Sequence, residues 1–345
     1  MIPICLPAVV SPRTGTLVFA LSQRDRDRFF PKGIPSDLSE AVTVKVEEAA
    51  PRSPQLWAER LCELGASVLV TSWSSPSLSG FLEREGPCPV NYVCHLNGEI
   101  RRLVPLELVE RGMLVTNWGQ MAAPLVAEHA VLLILASLRQ VTAWRAGFQP
   151  GQWQRGISTR SLLGLRVGLH GFGSIARELV ARLRPFGVTL SSWSAGVPAG
   201  EMILRDVAPA ESIEALFAGS DVLVECEALT SVTRLLVGRA LLERLPVDAL
   251  FVNVGRGGVV DQPSLEKLAV ERRVRVALDV FAEEPVPPES PLLGLPGAVL
   301  SPHIAGPTHD SYPALGDFAL SNLRRYYAGE PLEALITPDI YRRST

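Results

Sequence analysis

Apolar residues recur along this chain in two rhythms. Short runs at 17–21, 42–46 and 67–71 alternate with segments at 55–64 and 106–111 whose apolar positions follow a helical period. Strands separated by helices predict a parallel sheet with helices packed upon it. A further run at 113–117 leads into the most apolar long segment, 122–138, interrupted by Pro124, Glu128 and His129. It falls short of the ~20 apolar residues that span a bilayer and predicts a buried helix. The stretch 147–159 carries Gly, Pro, Gln and Trp with little periodicity, as a connector between domains would. From 165 the alternation resumes, with a strand at 165–170, a helix at 174–185, a strand at 188–193, and strands near 221–224, 250–254, 274–280 and 298–301. This half predicts a doubly wound sheet of its own. No repeat of fixed period is present, and the four prolines within 285–291 mark a loop.

Length changes this picture little: 345 residues suit two domains. With 47% hydrophobic and 20% charged residues, the composition excludes disorder. A formal net charge of −3 supplies no basic surface to draw nucleic acid or anionic lipid. Residues 1–14 hold a short apolar stretch with no Lys or Arg ahead of it, a poor secretory signal, so a cytoplasmic protein is expected. Cys5, Cys62, Cys88, Cys94 and Cys226 are odd in number and lack metal-site spacing. They predict reduced thiols and no metal site.

The first chemical signal is Gly171-Phe172-Gly173-Ser174-Ile175-Ala176, which follows a predicted strand and opens a predicted helix. In that context Gly171 permits the tight turn, and Gly173 lets a pyrophosphate approach the backbone at Ser174 and Ile175. The small Ala176 lets helix and strand pack closely. An acid at the end of the next strand would normally accept the adenosine ribose hydroxyls, but Ser194 stands there. Serine tolerates a 2′-phosphate better than a carboxylate does, yet no Arg or Lys lies between Ser194 and Met202. The expected cofactor is NAD, with NADP possible and weak discrimination between the two.

Polar residues just past the carboxyl ends of parallel strands are the best catalytic candidates. Arg256 follows the strand at 250–254 inside Asn253-Val254-Gly255-Arg256-Gly257-Gly258, Glu284 follows 274–280, and His303 follows 298–301. Hydride transfer to a 2-oxo acid needs a cation to hold the carboxylate and polarise the ketone, and an acid to protonate the oxygen. Arginine and histidine suit those tasks, and a carboxylate such as Glu284 would fix which ring nitrogen carries the proton. Asp279, ending its strand, is a candidate for the nicotinamide carboxamide. Asp261 reads as a helix cap.

These motifs together resemble the D-isomer-specific 2-hydroxyacid dehydrogenases. The similarity runs over roughly 93–325 and is strongest at 165–187, 251–261 (FVNVGRGGVVD), 277–285 (ALDVFAEEP) and 300–306 (LSPHIAG). The resemblance implies Arg256, Glu284 and His303 as the catalytic triad of an NAD(P)-dependent oxidoreductase. Its implied fold is α/β: two doubly wound parallel-sheet domains, a Rossmann dinucleotide-binding domain at 120–309 and a discontinuous, flavodoxin-like substrate domain at 1–119 plus 310–345. Loops 72–74 and 96–99 fall where the family surrounds the substrate carboxylate, which implicates Trp73, Asn97 and Gly98. The chain departs from the family's pattern at Ser194, at Ala122, and at 226–229, where the usual proline and histidine are missing.

The expected partner is a small 2-hydroxy or 2-oxo acid, and a homodimer is expected around the apolar segment 122–138 and the connector after it. His129 and His170 read as packed, and Arg101-Arg102 as a solvated turn. The alternative is an NAD(H)-sensing, corepressor-like protein with little turnover. A formate-oxidising enzyme of this family would pair the histidine with glutamine, so Glu284 argues against that third reading.

Overall fold

The computed structural model describes residues 15–343 apart from 37, 39–41, 49 and 52. Cys5 and the expectation drawn from residues 1–14 lie outside the described residues. The chain divides into two compact units, Met1–Met121 with His309–Thr345, and Ala122–Thr308.

The first unit holds five strands, β1 (Thr16–Ala20), β2 (Thr43–Val46), β3 (Ala66–Thr71), β4 (Tyr92–His95) and β5 (Leu114–Thr116). All pair in parallel, in the order β2-β1-β3-β4-β5, which is the flavodoxin-like order. Successive side chains of a strand point to opposite faces, and here both faces are covered. Val18 and Leu69 meet Trp57, Ala58 and Leu61 of the helix Pro54–Leu64. Leu17, Phe19, Val68 and Val70 meet Leu315, Ala319 and Leu323 of the helix Tyr312–Ala328. That double burial explains the near-continuous apolar runs.

The second unit holds β6 (Arg166–His170), β7 (Thr189–Trp193), β8 (Ala208–Pro209), β9 (Val222–Glu225), β10 (Ala249–Asn253), β11 (Val274–Leu278) and β12 (Val299–Leu300). Their parallel order is β12-β11-β10-β9-β6-β7-β8. Counted within the unit, the first six strands run 3-2-1-4-5-6, the doubly wound dinucleotide-binding order, and direction reverses between β6 and β9. The helix Ala123–Leu138 buries Ala127, Ala130, Leu133, Ile134 and Leu138 in the same core as Val167, Leu169, Val224 and Val252. Among the described residues no single helix is long and apolar enough to cross a membrane.

Several elements escaped the sequence pattern, the helix Tyr312–Ala328 among them. β4 and β8 are only four and two residues long, and the helix Gln23–Phe29 is polar almost throughout, burying only Asp25 and Phe29. The stretch 147–159 is not a connector between domains, because it lies inside the second unit and leads from the helix Ala123–Leu138 to β6. Its missing periodicity belongs to the end of a short 3-10 turn, Ala146–Phe148, and the exposed loop after it.

One close approach in the first unit fixes the sign of a mutation. Replacing an interior helical glycine by alanine ordinarily stabilises by about 0.5–1 kcal/mol. At Gly316 an added Cβ would stand 2.0 Å from the Phe29 carbonyl oxygen, so Gly316→Ala is expected to destabilise by about 1–3 kcal/mol. Gly200→Ala, where nothing lies within 4 Å of the added carbon, should be neutral or stabilising. Urea unfolding of both variants checks the contrast.

Candidate active site

The fingerprint turn sits at the end of β6. Gly171 has φ +92°, and a Cβ there would meet the Glu227 backbone at 2.8 Å, so the loop after β9 crosses directly over it. Around Gly173 an added Cβ would meet nothing within 4 Å. No side chain caps the helix Ser174–Leu183 and no acid occupies its first turn. The N–H groups at Ser174 and Ile175 therefore belong to a helix start that favours an anion. Ile175 itself packs against the core, where Ala176 is fully buried. Space at Gly173 and donors beside it fit a dinucleotide pyrophosphate.

Ser194 follows β7, and its hydroxyl donates to Glu227 Oε2 at 3.0 Å. Glu227 Oε1 accepts the Ala228 N–H at 3.0 Å, and the Glu227 N–H donates to Glu225 Oε1 at 2.8 Å. Behind them Glu225 and His170 form a fully buried pair through His170 Nδ1. Burial alone would push the His170 imidazole down, but the Glu225 carboxylate outweighs it and holds the group above its ordinary value. Sequence reasoning read His170 as packed and missed Glu227. The available signal was an acid immediately past a strand end, in the loop where the chain departs from its family.

The three catalytic candidates occupy the ends of neighbouring strands. Arg256 follows β10 and is part-buried, with one guanidinium nitrogen donating to the Gly255 carbonyl at 2.8 Å. Its loop is braced by Asn253, which accepts the Gly255 N–H at 3.0 Å and donates to the Arg256 carbonyl at 3.3 Å. A Cβ at Gly257 would fall 1.9 Å from the Phe281 carbonyl, so the arginine loop lies hard against the loop that carries Glu284. Glu284 Oε1 accepts the Phe281 N–H at 2.9 Å, and Oε2 stands 2.6 Å from His303 Nδ1. An ionised carboxylate only accepts, so Nδ1 carries the proton toward Glu284 and Nε2 is the nitrogen left for chemistry.

His303 has φ +53°, a left-handed conformation unusual for a residue with a Cβ. Its N–H donates to the Asp279 carbonyl at 2.9 Å, and the two following N–H groups reach the Asp279 carboxylate, Ile304 to Oδ1 at 2.9 Å and Ala305 to Oδ2 at 3.0 Å. Ser301 Oγ also donates to Oδ1, at 2.6 Å, and so must accept from His129 Nε2 at 2.8 Å. Asp279, only 1% exposed, thus holds the histidine loop. A carboxamide would find there only the remaining lone pair of Oδ2. His129 supports this network from the helix Ala123–Leu138. Asp261 caps the helix Gln262–Val270 by accepting from Ser264.

In the first unit, the three residues matched to the substrate side gather around Trp118. The rings of Trp73 and Trp118 meet edge to face at 5.8 Å, and a Cβ at Gly98 would strike the Trp118 indole at 2.6 Å. The Trp118 N–H reaches the Asn97 carbonyl at 3.4 Å. The Asn97 side chain is fully buried with neither Oδ1 nor Nδ2 paired. Asp25 pins the Trp73 loop, its Oδ2 accepting from Ser22, Ser72 and Ser74 at 3.0, 2.6 and 2.7 Å. Arg101 and Arg102 lie in a turn, as expected, with Arg102 exposed and Arg101 half-buried. Arg101 donates to the Tyr341 and Arg342 carbonyls at 2.7 and 3.1 Å, and Arg102 holds the Trp73 carbonyl. Trp118 and Asp25 escaped the sequence reading because only the turn of the chain brings them to these loops.

A doubly wound sheet with an open glycine turn, and an imidazole–carboxylate pair past its strand ends, fits a dinucleotide-dependent oxidoreductase. Residues 131–305 match the family model of the D-isomer specific 2-hydroxyacid dehydrogenase, NAD binding domain. The chain is 34% identical over 228 residues to a glyoxylate/hydroxypyruvate reductase of Arabidopsis thaliana, covering 64% of this chain and 68% of the relative. It is 31% identical to glyoxylate/hydroxypyruvate reductase B of Pectobacterium carotovorum, covering 68% and 75%. A crystal structure of a glyoxylate reductase from Paecilomyes thermophila superposes with a TM-score of 0.78 at 26% identity, covering 94% of this chain and 98% of that one. The chain belongs to the D-isomer-specific 2-hydroxyacid dehydrogenase family. It is an NAD(P)-dependent oxidoreductase that moves a hydride between the nicotinamide and C2 of a small 2-hydroxy or 2-oxo acid.

The Asp279 network makes a specific expectation. Asp279→Asn keeps the shape but turns one acceptor into a donor facing a buried donor, Ser301 or the Ile304 and Ala305 N–H groups. Stranding such a group costs about 1–3 kcal/mol, visible as a lower urea midpoint, and kcat should fall with KM less affected as the His303 loop shifts. Unchanged stability together with wild-type kcat would show that the carboxylate does not hold the loop.

Proposed function

We propose that the protein reduces a short 2-oxo acid, of the glyoxylate or hydroxypyruvate kind, to the 2-hydroxy acid. Arg256, Glu284 and His303 are its catalytic groups in this reading. The observation that carries it is the 2.6 Å contact between Glu284 and His303 Nδ1, which leaves Nε2 for the substrate in a family defined by this hydride transfer. The names of the two relatives support the substrate class.

The second unit carries the dinucleotide and the first the substrate. The N–H groups of Ser174 and Ile175, beside Gly171 and Gly173, hold the pyrophosphate, and when bound the reduced nicotinamide supplies the hydride to C2. The Arg256 guanidinium pairs with the substrate carboxylate and draws electron density onto the C2 oxygen. His303 Nε2 delivers the proton to that oxygen as the C–H bond forms, and takes it back in the reverse reaction. Glu284 keeps the ring oriented and faces the imidazolium. In the first unit, Trp73, Asn97 and Gly98 are the proposed substrate residues, Asn97 with its buried amide unpaired.

A homodimer and a cytoplasmic setting complete the reading. Leu132, Val141, Trp144, Phe148 and Trp153 are large, apolar and exposed, and all lie on the helix Ala123–Leu138 or in the segment that follows it. Surface of that kind is what a subunit interface covers.

Loss of reduced-nicotinamide absorbance with glyoxylate, hydroxypyruvate and related 2-oxo acids tests the activity. Arg256→Lys cannot make the planar two-point contact and should lose about 2–4 kcal/mol of transition-state stabilisation in kcat/KM. His303→Ala should lose at least as much. Near wild-type kcat/KM in either variant removes that residue from the catalytic set.

The dimer predicts light scattering at twice the chain mass at micromolar concentration, and a monomer for Phe148→Glu combined with Trp153→Glu. A monomeric wild type overturns it.

A further inference from the structure

We propose that Glu227 selects the dinucleotide, accepting a hydroxyl of the adenosine ribose and repelling a 2′-phosphate, so that the enzyme prefers NAD(H). The inference rests on the proposed dinucleotide site and assigns a residue within it.

In a doubly wound fold the adenosine ribose lies at the end of the second strand, here β7, beside the glycine turn. Glu227 belongs to neither element, yet reaches both. Its backbone lies against Gly171, at 2.8 Å from where a Cβ would be, and its carboxylate meets Ser194 at 3.0 Å. Each of its oxygens accepts a hydrogen bond, Oε2 from Ser194 and Oε1 from Ala228. A carboxylate oxygen has two acceptor sites, so both retain capacity for a ribose hydroxyl.

The hydrogen bond also changes what Ser194 offers. A serine has a single hydroxyl proton, and this one is given to Glu227, which leaves only lone pairs facing outward. Those accept from a ribose hydroxyl and offer a phosphate nothing. Arg177, on the helix that opens at the fingerprint, lies over the Phe172 ring and stands 3.5 Å from Glu201, so a carboxylate already competes for that guanidinium. The phosphate of NADPH would bring a second anion to a position that holds an anion, and like-charge contacts of this kind discriminate strongly. Glu225 fixes the geometry by accepting the Glu227 N–H at 2.8 Å while it pairs with buried His170. Weak discrimination, expected from Ser194 alone, is replaced by a preference for NAD(H).

The test is direct binding to the purified full-length protein without substrate, by calorimetric and nicotinamide-fluorescence titration with NADH and with NADPH. The wild type should bind NADH at least about tenfold more tightly, and Glu227→Gln should shrink that ratio by about tenfold, chiefly by tightening NADPH. Glu227→Asp, which keeps the charge, should keep most of the preference. Ser194→Ala should keep it too, because the carboxylate remains. A wild type that binds both nucleotides equally or prefers NADPH overturns the inference, as does a ratio unchanged in Glu227→Gln, and the dehydrogenase reading survives each result. If Glu227→Gln binds neither nucleotide, Glu227→Asp decides: a retained preference supports the assignment and a lost one overturns it. A wild type that binds neither overturns this inference and the proposed function together.

Discussion

The geometry of the catalytic candidates depends on one buried carboxylate. Asp279 follows β11 with only 1% of its surface exposed, an arrangement that is costly unless hydrogen bonds replace the lost water. Ser301, Ile304 and Ala305 supply three such bonds. They tie the loop after β12 to the end of β11, on either side of a histidine whose φ of +53° costs roughly 1–2 kcal/mol for a residue with a Cβ. The network sustains that conformation, and through it the imidazole reaches Glu284. The order of dependence runs from sheet core to Asp279, from Asp279 to the loop, and from the loop to His303. Disturbing the carboxylate acts on chemistry without touching a reacting atom.

The first unit uses the same device. Asp25, on a helix with almost no apolar face, accepts three serine hydroxyls on a single oxygen and so fixes the loop after β3 that presents Trp73. A parallel sheet ends each strand in a loop whose backbone lacks ladder partners, and those loops are where ligands are met. A buried aspartate accepts from several donors at once, which makes it an economical anchor for such a loop. In both units the anchor sits one layer behind the residues proposed to touch ligand.

Sequence made legible whatever depends on local pattern. The runs at 17–21, 67–71, 250–254 and 274–280 are apolar because those strands are buried on both faces, so their rhythm carries the fold. Gly171, Arg256, Glu284 and His303 could be picked out as candidates because ligands of such a sheet are met a few residues past strand ends. β8 has two residues and the helix Gln23–Phe29 has no apolar face, so neither has a rhythm to detect. The same absence of rhythm at 147–159 misled, because exposed turns within a unit and a hinge between units share one composition. Asp279 was noticed as polar at a strand end, but its role as an anchor needed the path of the loop after β12. Trp118 and Asp25 depend on contacts between segments far apart in sequence.

Glu227 makes that limit concrete. Read along the chain, the end of β7 has lost its acid and the loop after β9 has lost a proline and a histidine, two unconnected departures from the family's pattern. In three dimensions they meet: β7 and β9 both pair with β6, so their ends flank the glycine turn, and the acid missing at 194 is supplied at 227. Behind them stands the buried His170–Glu225 pair, whose carboxylate orients the Glu227 backbone. Burying that pair is tolerable because each charge has its partner, whereas removing either partner would strand the other in the core. Electrostatic character at a binding site is set by which charges share a volume, not by which position in the sequence supplies them. The expectation drawn from Ser194 alone counts the charge of one strand end where two strand ends meet.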